Sequence, residues 1–173
     1  LIAFRLSVEA PKGFARVVLS DARQCGETFR EHNGQVRLMV TSPPYIDTTD
    51  YAEDQWLRLW FLGGPEAPVR RLSRDDRHRN VPDYWRFLSD TWKGCASLLA
   101  PKSTIVIRIG GRRLSVPELA DGLLSSLQAS FAGSVRMLAT PASSEIKKGQ
   151  VNSFRPGMTE KNKEHDFIFR VAA

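Results

Sequence analysis

"VRLMVTSPPYIDTTDY", residues 36 to 51, closes an apolar, β-branched run with two consecutive prolines and a tyrosine. Proline has no N–H to give a sheet ladder, so two in succession turn the chain out of a sheet directly after Ser42. They predict a stiff lip. If the preceding run is a parallel strand, the lip stands at its carboxyl end, where open α/β sheets bind ligands. The Pro43 and Pro44 carbonyls then have no ladder partner, and Ser42 adds a hydroxyl, so acceptors are fixed side by side. Tyr45 sets an aromatic face next to them, an arrangement suited to stacking a planar ring while its amino group is hydrogen-bonded. The plainer alternative is that Pro-Pro ends a strand and Tyr45 fills a gap.

Working outward, apolar clusters alternate between a strand-like and a helix-like period, the pattern of an α/β fold with a mostly parallel sheet. "ARVVLSDA" (15 to 22) and "VRLMVTS" (36 to 42) read as buried strands, with a brief crossover helix between them ending at Gly34. "DYAEDQWLRLWFLGG" reads as a helix, with Trp56, Leu57, Trp60 and Phe61 at helical spacing before a Gly-Gly-Pro breaker. A second helix begins at Pro82, carries Trp85, Leu88, Trp92, Cys95 and Leu99 on one stripe, and is expected to end at Pro101. "STIVIRIGG" (103 to 111) is a strand, and residues 115 to 131 form a helix with Ser115 as cap and Glu118 completing a capping box. Strands follow at 134 to 140 and 165 to 172, separated by a long, lysine-rich loop.

The bulk numbers fit one soluble domain. The chain has 173 residues, 42% hydrophobic and 25% charged, enough for a sizeable core. The net charge of +6 favours polyanionic partners. Apolar runs are strand-sized, short of the roughly 18 residues a membrane helix needs, and no signal peptide is evident, so the expectation is a cytoplasmic protein without a membrane partner. Cys25 and Cys95 stand apart in sequence and form neither a zinc spacing nor a disulfide framework. His32, His78 and His165 have no ligand spacing, so no metal is expected.

"TSPPY" after a β-branched strand resembles the motif of the S-adenosylmethionine-dependent DNA amino-methyltransferases, which place Asp, Asn or Ser before Pro-Pro and Tyr or Phe after it. "VVLSDAR" (17 to 23) is similar to the motif whose acidic residue reaches the adenosine of the cofactor, which assigns that role to Asp21, with Ala22 beside it. "WKGCASLLAPKSTIVIRIGG" and "EHDFIFRV" look like the helix, turn and strand, and the final strand, of the same family. The resemblance implies a Rossmann-like methyltransferase sheet and direct methyl transfer to the exocyclic amine of a flipped DNA base. Ser42 and the Pro43 carbonyl would hold the amine, Pro44 would stiffen the lip, and Tyr45 would stack on the base. Serine in first position favours N4 of cytosine over N6 of adenine. Neither cysteine has the Pro-Cys context of covalent C5 methylation.

The glycine-rich turn that the family uses for its cofactor is not found. "SFAGSV" (130 to 135) follows a helical pattern and lacks the second glycine. The chain is therefore expected to be a partial methyltransferase domain over 1–173, its sheet incomplete at one end, with the turn upstream or downstream. Arg70, Arg71, Arg74, Arg77 and Arg79, and the later Lys147 and Lys148, are the candidate phosphate contacts. Acidic neighbours such as Asp75 and Asp76 could instead neutralise the arginines on a solvated surface. Two further readings stand beside DNA methylation: a nucleic-acid-binding relic without catalysis, and an enzyme acting on RNA. The resemblance implies a place in restriction-modification.

Overall fold

The structure, a computed structural model, describes residues 13–46, 56–67, 80–110, 113–145 and 163–172. Among the described residues there are five strands, β1 (Val36–Thr41), β2 (Leu99–Gly110), β3 (Ser134–Met137), β4 (Ala142–Glu145) and β5 (Lys163–Ala172). They form one sheet in the order β1-β2-β5-β3, with β4 also paired to β5. The β1–β2 ladder is parallel, and β5 runs antiparallel to β2, β3 and β4. Four strands therefore share one direction and β5 opposes them. This is an α/β architecture with a mostly co-directional sheet, as expected.

The helices are α1 (Cys25–Thr28), α2 (Trp56–Phe61), α3 (Val81–Cys95) and α4 (Val116–Gln128). Residues four apart stack on one face of a helix. Tyr84, Leu88 and Trp92 of α3, and Leu119, Leu123 and Leu127 of α4, are all at most 2% exposed. These two stripes pack with Ile105, Ile107 and Ile109 of β2 and Phe167 and Phe169 of β5 in one core. Strand period two puts those sheet residues on a single face. The capping box at α4 is present, with the Ser115 side chain and Glu118 satisfying each other's backbone N–H groups. Asn80 caps α3 in a similar way through the Asp83 N–H.

Three expectations are corrected. Residues 15 to 22 join no ladder among the described strands, and Val17 and Leu19 are 97% and 103% exposed. A β-branched run cannot become a strand without a neighbour to take its hydrogen bonds. Pro101 does not end a helix: α3 stops at Cys95, a 3-10 turn covers Ala96–Leu98, and β2 begins at Leu99. Pro101 is tolerated there because the β1–β2 register shifts between Val36 and Leu38, beside Leu99. Finally, the polar stretch after residue 140 contributes β4, whose four residues pair with Lys163 to Asp166. No alternation in "ASSE" announces that strand; the exposed edge of β5 supplies the reason for it.

The helix–helix contact depends on a missing side chain. A Cβ on Gly122 of α4 would stand 2.1 Å from Cζ2 of Trp85. The Trp85 ring itself packs against Tyr84 in a tilted arrangement, centroids 5.1 Å apart and planes at 60°, so it cannot simply swing aside. Alanine would gain up to about 1 kcal/mol of helix propensity, but overpacking costs typically about 1–3 kcal/mol. Gly122→Ala is thus expected to lower the unfolding free energy in urea; an unchanged or higher midpoint would show that α3 and α4 are not locked here.

Candidate functional site

The chain leaves β1 at Ser42, which is exposed, while Pro43 is buried and Pro44 and Tyr45 are half-buried. Three tethers hold this lip. Ile46 is 1% exposed and belongs to the core. The buried Tyr84, in the first turn of α3, donates its hydroxyl to the Pro44 carbonyl at 3.0 Å. Tyr45 donates its own hydroxyl to Glu164 Oε1 at 2.7 Å. Of the two proline carbonyls without a ladder partner, that of Pro44 is thus used by the fold.

Tyr45 crosses the carboxyl end of β2. A Cβ on Gly110 would be 3.4 Å from Tyr45 Cε2 and 2.6 Å from the Lys163 carbonyl oxygen, so only glycine leaves room there. Burial, reinforced by the hydrogen bond to Glu164, pushes the Tyr45 phenol up to about 12, while hydrogen bonding by Ser42 pulls the other way. At neutral pH the phenol is a donor. Behind Glu164, Arg108 donates to both carboxylate oxygens of Asp166 at 2.7 Å and lies 3.9 Å from Glu164 Oε2. The forked bond holds the Asp166 carboxyl below its usual range and raises the Arg108 guanidinium. Both groups are solvent-screened, so their value is geometric more than energetic.

Asp21 and Ala22 lie elsewhere. Asp21 caps the 3-10 turn Ala22–Gln24 and pairs with Arg23. That turn rests on the last residues of α3, where Cys95 Sγ is 3.9 Å from the Ala22 carbonyl. Tyr84 meets the lip near the opposite end of α3, and the helix from Tyr84 to Cys95 spans roughly 16 Å. The structure does not bring Asp21 to Ser42. A cavity of about 550 Å³ opens beside Arg23 and is lined also by Arg30, Lys93, Glu27, Asn33 and Ser97. Its cationic balance does not suit a sulfonium cofactor. The candidate phosphate contacts, Arg70, Arg71, Arg74, Arg77, Arg79, Lys147 and Lys148, lie outside the described residues.

The sequence reading missed Glu164, Arg108, Asp166 and Tyr84. Period-two alternation in "EHDFIFRV" does separate Glu164 and Asp166 from the core-facing His165, Phe167 and Phe169, but nothing in the sequence pairs Glu164 with Tyr45. His165 is buried and its Nδ1 is 2.8 Å from the Ser143 hydroxyl, a satisfied core histidine. Among the described residues no cluster of acidic, cysteine and histidine side chains could hold a metal ion, and no helix is long and apolar enough to cross a membrane.

No protein-family profile matches the chain, and no curated protein matches it. Among solved structures it is similar to TTHA0409 of Thermus thermophilus, which carries an inferred assignment as a DNA modification methylase. One form of that protein shares 19% identity at a TM-score of 0.44, covering 88% of this chain and 50% of the other. Its form complexed with S-adenosyl-L-methionine gives 18%, 0.45, 92% and 54%. The chain spans about half the length of the structures it matches.

The cysteines, distant in sequence, are neighbours. Burial, and then the adjacent Cys25, push the Cys95 thiol up to about 12. Thiolate is the reactive form. At pH 8 Cys95 should therefore resist iodoacetamide until the chain is unfolded in urea, as followed by mass spectrometry. Rapid native labelling of Cys95 would contradict its burial.

Proposed function

We propose that the chain is the base-facing part of an S-adenosylmethionine-dependent DNA methyltransferase acting on an exocyclic amine, with N4 of cytosine favoured over N6 of adenine. The observation that carries this reading is the lip itself: exposed Ser42 and half-buried Tyr45 stand at the carboxyl end of β1, beside the parallel β2. An aromatic amine is a poor nucleophile because its lone pair is delocalised into the ring. Hydrogen bonds from its two protons to Ser42 Oγ and the Pro43 carbonyl would draw the nitrogen towards a tetrahedral shape and orient the lone pair. Tyr45 would stack on the extruded base. The cofactor, when bound, supplies an electrophilic methyl group.

The described residues do not by themselves form its cradle: Asp21 caps its own turn and pairs with Arg23 at the surface, and the nearby cavity is cationic. In this reading the glycine-rich strand and turn belong on the edge of β1 that faces away from β2. The arginines between 70 and 79 and Lys147 and Lys148 would neutralise DNA phosphates, giving binding that weakens with salt. The engaged Asp21 favours one other reading, a nucleic-acid-binding relic without methyl transfer.

The test incubates the full-length protein with S-adenosylmethionine and unmethylated DNA and identifies the modified nucleoside by mass spectrometry. Transfer to N4 of cytosine is expected; no transfer together with retained DNA binding would support the relic. Tyr45→Ala should lower kcat by about 10²-fold and leave cofactor affinity within about threefold. Equal loss of both would contradict stacking on the base.

A further inference from the structure

We propose that Glu164 is a positioning residue: acting through Tyr45, it fixes the plane of the lip tyrosine so that an incoming base meets a stationary aromatic face. This rests on the methyl-transfer reading above. A tyrosine on a loop ordinarily rotates about two side-chain torsions, and a mobile ring is a poor stacking platform. Here both ends are held. The backbone is fixed by the buried Ile46 and the Tyr84 bond to Pro44, and the phenol is fixed by Glu164, 119 residues further along the chain.

Register brings the carboxylate to the right place. Glu164 is the partner of Gly110 across the antiparallel β2–β5 ladder. Gly110 is also where a Cβ would strike the Lys163 carbonyl oxygen at 2.6 Å and touch Tyr45 Cε2 at 3.4 Å, so the tyrosine ring lies against bare backbone. One strand supplies the backbone the ring lies against and its neighbour supplies the acceptor. Arg108, two residues before Gly110, directs its fork at Asp166 and keeps a longer 3.9 Å approach to Oε2 of Glu164, so Oε1 remains for the phenol. The groups facing the phenol are thus Glu164, Arg108 and Ser42; burial and then Glu164 raise its pKa, while Ser42 and Arg108 pull it down.

The experiment compares the full-length parent with Glu164→Ala, Glu164→Gln, Tyr45→Phe and Tyr45→Phe/Glu164→Ala. It measures kcat, cofactor Kd, thermal unfolding, 2-aminopurine fluorescence at the target base, and the titration of tyrosine labelled with ¹³C at Cζ. In E164Q the Tyr45 resonance should titrate at lower pH, because the neighbouring negative charge is gone while the acceptor oxygen remains. E164A should lose about tenfold in kcat with cofactor Kd unchanged, reduced 2-aminopurine quenching, and little change in unfolding temperature. Glutamine should restore most of the rate, and the double variant should be no worse than E164A, since both changes cut one contact. Parental kcat in E164A, or additive losses in the double variant, would overturn the proposal. If the parent itself transfers no methyl group, the methyl-transfer reading falls and this role falls with it; a Tyr45 titration that still moves in E164Q would then mark the contact as structural.

Discussion

The β2–β5 ladder sets the rest of the molecule. From Lys102 opposite Ala172 to Gly110 opposite Glu164, every residue of β2 has a defined antiparallel partner. Side-chain period in a strand is two, so a slip of one residue would exchange the faces of β5. Phe167 and Phe169 would leave the core, and Glu164 and Asp166 would turn into it. The apolar stripes of α3 and α4 therefore fix more than stability. By holding the isoleucine and phenylalanine rows in register, they decide where a carboxylate stands at the far end of the sheet.

How much of this was legible in the sequence depends on the range of the interaction. The capping box of α4, the stripe through Leu88 and Trp92, and the exit of the chain after Ser42 follow from neighbours within a few residues, and the structure contains them. The strand expected at 15 to 22 follows the same local rules and does not form, because pairing needs a partner that local sequence cannot supply. β4 is the converse case, a strand with poor propensity created by an available edge. Propensity proposes and pairing decides.

The candidate site divides along the same line. Pro-Pro and its flanking serine and tyrosine are contiguous, and their placement at a strand end could be argued from proline chemistry alone. The Tyr84–Pro44 and Tyr45–Glu164 bonds join residues 40 and 119 positions apart. No spacing rule finds such pairs. Asp21 shows the opposite situation: an acidic residue after an apolar run invites a ligand role, and in the structure its carboxylate also caps its own turn and pairs with Arg23, two residues on. Short-range capping competes with any ligand for such a carboxylate.

The outer edge of β1 has a practical consequence. Among the described strands β1 pairs only with β2, and its Leu38 and Val40 are 57% and 68% exposed. A hydrogen-bonding row bordered by bare aliphatic groups is a template for another chain's backbone. Arg37 is the one charged residue within β1 and a weak gatekeeper. Purified on its own, this polypeptide should tend to oligomerise and precipitate through backbone zippering along that margin, and a charged substitution at Val40 is the natural remedy for anyone preparing it.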